Sequence, residues 1–115
     1  VATALQQLLF NDYLHLLYSG AQPMKPDADA VALAIKFAGG PSAVARQLGR
    51  SPFAVALWRD GKRSFQPEFA AELERLSGGR VRRWQMFPAA WPLIWPELVG
   101  TEGAPEVLAA AAAAD

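Results

Sequence analysis

The chain predicts an all-α fold, a small helical domain built around one corner of two short helices. Three observations predict it. Residues 41–60, PSAVARQLGRSPFAVALWRD, hold two apolar runs at helical spacing with Gly49 between them. The runs on either side, near 28–38 and 67–76, keep the helical period and are punctuated by Gly and Pro. Finally, 115 residues that are 52% hydrophobic, with four Trp and six Phe, suffice for one compact core. Cysteine is absent, which excludes disulfides and thiolate metal sites. The single His15 cannot build a metal cluster alone, so no metal or other cofactor is expected.

Residues 1–18, VATALQQLLFNDYLHLLY, predict a helix rich in Leu and interrupted by Asp12. A basic start is missing, so a secretory signal is not expected, and the stretch is too short and polar to span a bilayer. An apolar helix in this position has to pack on its own domain, on a second copy or on a partner. Residues 19–27 read as linker, broken by Gly20, Pro23 and Pro26, with Met24 as an alternative start. Residues 1–23 are therefore expected to be a helical extension and linker, 24–98 the helix-turn-helix domain, and 99–115 a flexible, Ala-rich tail.

Asp27 or Asp29 caps the next helix, which runs to about Ala38 and stops at Gly39 and Gly40. These glycines follow no strand and precede no Lys at P-loop spacing, so they are not a phosphate cradle. In the corner, Val44, Ala45 and Leu48 line one face of the first helix. Gly49 stands where a left-handed residue ends it. Ser51 as N-cap and Pro52 at the first helical position start the second helix, which turns Val55 and Trp58 inward.

Asp60-Gly61 opens a loop through Lys62 and Arg63. Pro67 begins a further helix to about Leu76, with Phe69, Ala70, Leu73 and Leu76 on one side. Glu68, Glu72 and Glu74, near Arg75, read as exposed helix pairing. Beyond Gly78 and Gly79, prolines at 88, 92 and 96 forbid a continuous helix and predict short turns. Trp84, Trp91 and Trp95 interleave with arginine there. They suit either a base-stacking surface for single strands or, more simply, an apolar flap over the core.

AGGPSAVARQLG, the W-R-D-G-K-R loop and AELERLSGGRVRRWQMFP together resemble the Cro and YdaS type of prophage repressor over roughly residues 27–98. The resemblance implies a lambda-repressor-like domain of four to five short helices, with the extra N-terminal helix and aromatic, Pro-rich C-terminal flap appended. It also implies a bacterial, cytoplasmic transcriptional regulator that binds duplex DNA as a homodimer or higher oligomer, nucleoid-associated when bound. The DNA-facing positions it implies are Ser42, Ser51, Pro52, Phe53, Ala56, Leu57, Lys62 and Arg63.

Charge supports this independently. Net charge is zero, but residues 41–85 hold nine Lys and Arg against four acids, a net +5. One departure stands out: relatives carry hydrogen-bonding side chains at several groove-facing positions, whereas Phe53, Ala56 and Leu57 can neither donate nor accept. Bidentate base readers are thus missing, leaving thymine-methyl contact and phosphate contacts. The same apolar face also suits an antitoxin-like protein-interaction module that binds a partner protein or itself. No nucleophile–base pair, metal cluster or phosphate loop is present, so no catalytic residues are expected and the chain does not read as an enzyme.

Overall fold

Asp27 sets the first described helix. Its carboxylate Oδ1 accepts the N–H groups of Asp29 at 3.0 Å and Ala30 at 3.2 Å, starting α1 (Ala28–Phe37). The computed structural model describes residues 25–107, so the expected N-terminal helix, most of the linker and the Ala109–Ala114 run lie outside the described residues. Lys36 and Ile35 carbonyls accept the N–H groups of Gly39 and Gly40, which closes α1.

The chain then turns directly into α2 (Pro41–Leu48). Gly49, at φ 67° and ψ 34°, ends α2 in the left-handed region, with its N–H returned to the Ala45 carbonyl. Ser51 is extended at φ −76°, ψ 148°, and its Oγ accepts the Ala54 N–H at 3.1 Å, starting α3 (Pro52–Arg59). The expected corner is present, with both cap residues in their expected roles.

Where one helix is expected from Pro67, the structure has a 3-10 turn, Pro67–Phe69, leading into α4 (Ala70–Leu76). The tighter turn arises because Phe69 donates to Gln66 three residues back, at 3.1 Å. Buried Ser77 then links two segments: its hydroxyl donates to the Glu74 carbonyl at 2.7 Å and accepts the Val81 N–H at 3.3 Å. A short α5 (Arg83–Met86) follows, and the Met86 carbonyl accepts the Asp27 N–H at 2.8 Å. That bond ties the last helix of the unit Pro26–Met86 to its first cap.

The core of this unit is apolar and drawn from every helix. Val31, Ala34 and Ile35 of α1 meet Val44 and Ala45 of α2, Val55 and Trp58 of α3, and Ala70 and Leu73 of α4. α1 packs on α3, α4 and α5, and α2 packs on α3 and α4. Trp58 sits between two rings, Phe65 edge-on at 5.1 Å and Phe69 tilted at 5.4 Å.

Residues from Phe87 onward belong to a second unit. Its α6 (Trp91–Ile94) has Pro92 in the first turn, and a 3-10 turn Pro96–Leu98 follows, so the prolines do produce short pieces. Phe87 and Trp95 meet edge to face at 5.8 Å, and Ala90 packs with Val107, Leu93, Ile94 and Val99. Trp84, Trp91 and Trp95 are all 9% exposed or less. They offer no open ring face, so the base-stacking expectation for this stretch is corrected: the rings are core.

All described elements are helical, with no strand among the described residues. No described helix is long and apolar enough to cross a membrane.

Two substitutions test this packing. Trp58→Ala should lower the unfolding free energy by about 3–5 kcal/mol, the cost of deleting a buried ring. Gly49→Ala should cost about 1–2 kcal/mol from left-handed strain alone, because an added Cβ meets nothing within 4 Å. Urea unfolding followed by Trp fluorescence reads both.

Candidate nucleic-acid interface

The corner places an amphipathic helix with its outer side free. Val55 and Trp58 are 0% and 4% exposed, whereas Phe53, between Pro52 and Ala54, is 71% exposed. Ser51 and Pro52 are exposed, and Ala56 and Leu57 are half-buried. The five expected contact positions on and before α3 therefore all reach the surface. Lys62 and Arg63 are exposed as well, and both donate their backbone N–H to the Leu57 carbonyl, at 3.0 and 3.3 Å. Those two bonds fold the basic loop back against α3, so Leu57, Lys62 and Arg63 are held together.

Ser42 stands apart, exposed in the first turn of α2. Gly40 before it, at φ 98°, supplies no side-chain cap, so the early amides of α2 are not capped as those of α3 are. Ser51 has a local role beyond the expected one, since its Oγ is the acceptor that caps α3.

Charge on this unit divides into two classes. Arg59 donates to Asp60 at 3.0 Å, and Arg75 donates to Glu72, Nε to Oε2 at 3.1 Å. The Arg59 hydrogen bond holds the Asp60 carboxyl below its ordinary range, helped by the nearby Lys62 charge. Arg75 does the same for Glu72. Arg46, Arg50, Lys62 and Arg63 are exposed and join no ion pair among the described residues.

Arg82 and Arg83 behave differently from the sequence expectation, which counts them in the polyanion-binding footprint. Glu74 Oε2 accepts the Arg83 N–H at 2.8 Å and lies 3.6 Å from Nε of both guanidinium groups. The Arg82 guanidinium also lies over Trp84, 4.9 Å from the ring centre. Glu74 is likewise corrected: its side chain is 15% exposed and pins α5 to α4, while Glu72 is the partner of Arg75.

Arg50 lies outside the expected contact positions, yet it stands at the same corner. Its guanidinium lies 4.8 Å over the Phe69 ring, which in turn touches Trp58, so a cation stands fixed at the corner just before Ser51. Its position immediately after the left-handed glycine was the available signal.

A family profile described as "Bacterial toxin YdaS" matches residues 31–93, from within α1 to within α6. The match spans more than half of the chain. The chain belongs to the YdaS family. No curated protein and no solved structure matches it. The family description speaks of a toxin, whereas the sequence resemblance implies a transcriptional regulator and the apolar corner face also suits an antitoxin-like module. The YdaS match takes in α2, the Gly49 turn, α3 and the Lys62–Arg63 loop together.

The division of charge is testable in this YdaS-family chain. Glu74→Ala should destabilise it by about 2 kcal/mol, the loss of a charged hydrogen-bond acceptor. Glu68→Ala, at an exposed position, should change stability by less than about 0.5 kcal/mol. Thermal unfolding of the two variants side by side separates them.

Proposed function

We propose that this YdaS-family chain is a DNA-binding transcriptional regulator that docks α3 in the major groove of duplex DNA. One observation carries the reading: an exposed second corner helix is flanked by four cations, Arg46, Arg50, Lys62 and Arg63, that join no ion pair among the described residues. Lys62 and Arg63 lie along one phosphate strand, held there by the Leu57 carbonyl. Ser42 offers its backbone N–H to another phosphate at the start of α2. Two copies on a two-fold site give the usual geometry for a corner of this type. The regulator works in the bacterial cytoplasm, without a cofactor and without catalysis.

Phosphate contacts make such binding strongly salt-dependent. Reversing both charges, Lys62→Glu with Arg63→Glu, should weaken binding to every duplex sequence alike by at least about tenfold. It should also flatten the plot of log K against log salt by about two units of slope. Fluorescence anisotropy with a random duplex over a salt series measures both. Unaltered affinity at low salt rejects the mechanism.

The exposure of Phe53 favours a second reading, in which the same face docks a partner protein or a second copy. Under that reading Phe53→Ala and Leu57→Ala each lower the light-scattering mass or release a co-purifying partner. Unchanged mass and unchanged partners for both variants count against it.

A further inference from the structure

We infer that α3 reads the methyl groups of the major groove, with Phe53 as the contact, so that thymine or 5-methylcytosine is the recognised base feature. The inference rests on the DNA-binding reading and names what that interface discriminates.

The outer side of α3 carries no side chain able to read a base by hydrogen bonds in its first two turns. Pro52, Phe53, Ala54, Ala56 and Leu57 have neither donor nor acceptor. Ser51, the one hydroxyl beside them, has its Oγ accepting the Ala54 N–H at 3.1 Å. Phe53 is 71% exposed and is followed by Ala54 and, one turn on, Ala56, so its ring projects beyond small neighbours. Among the groups that base pairs present in the major groove, the C5-methyl is the apolar one. A ring without polar competitors therefore has one class of partner there.

Charge on the same helix fits this occupant. Arg50 stands just before the cap, with its guanidinium placed over Phe69, and Lys62 and Arg63 are bonded back to Leu57 at the other end. Arg59, the charge within the helix, is neutralised by Asp60. Cations at both ends with an apolar middle match phosphate rims on either side of a groove floor. Eight residues of helix span about 12 Å, close to the groove width of about 12 Å.

The test uses the full chain and defined duplexes, so no operator need be known. Anisotropy compares a short alternating A–T duplex with the same duplex carrying uracil for thymine. It also compares an alternating G–C duplex with one carrying 5-methylcytosine. The expected result is at least about fourfold tighter binding to the methylated member of each pair, the size of effect that burying one methyl group brings. Phe53→Ala, at a position exposed enough to leave the fold intact, should bind both members alike. Equal wild-type affinity within each pair overturns the inference while leaving DNA binding in place. A methyl preference that survives Phe53→Ala also overturns it, assigning the preference to duplex shape. Binding to no duplex at all overturns it together with the DNA-binding reading, and assigns the exposed helix to a protein partner.

Discussion

The left-handed turn at Gly49 is the constraint on which the rest of this domain depends. It lets the Ala45 carbonyl accept the N–H groups of Gly49 and Arg50 at the end of α2 and sends the chain into α3 after only Arg50 and Ser51. With so short a connection, the direction of α3 is set by backbone geometry, and Val55 and Trp58 must then find a core on one side. Trp58 completes the arrangement because Phe65 and Phe69 enclose it from the segment that follows. Phe69 reaches it through the 3-10 turn, and its other contact is the Arg50 guanidinium. One apolar anchor thereby orders both the helix that shows its outer side and the cation at its start.

Electrostatics in the unit Pro26–Met86 serve two purposes that the sequence alone does not separate. Around α4 and α5, arginines meet carboxylates: Arg75 with Glu72, and Arg82 and Arg83 with Glu74. The Glu74 contacts act with the Asp27–Met86 backbone bond to hold α5 in place. Around α2 and α3, Arg46, Arg50, Lys62 and Arg63 are exposed and join no ion pair among the described residues, while Arg59 pairs with the adjacent Asp60. A net charge counted along the chain therefore overstates the field available to an anion.

The outer side of α3 is apolar. Burying Phe53 would remove a large ring from water, whereas Ala54 and Ala56 contribute little area. Its present exposure has no role in packing the unit, since Val55 and Trp58 supply the inward side. That separation of faces makes the helix available for contact without cost to the core, whatever surface it meets.

Local rules decided much of this in advance. Asp27, Ser51, Pro52 and Gly49 act within three or four residues of their own position, so caps, turn and inward face were legible from residue type and spacing. Membership of the YdaS family was legible for the same reason, since its motifs are local runs. The expected contact positions also proved to lie at the surface. What spacing could not reveal were partners distant in sequence. Glu74 bonds to Arg83 nine residues on, Arg50 stacks on Phe69, and the tryptophans near the C-terminal end are core rather than open rings. The sequence by itself determined where helices start, stop and turn, because those choices are made by backbone conformation and neighbouring side chains. Only the tertiary structure decided which charges are neutralised and which rings are covered, because both depend on chain segments brought together by burial.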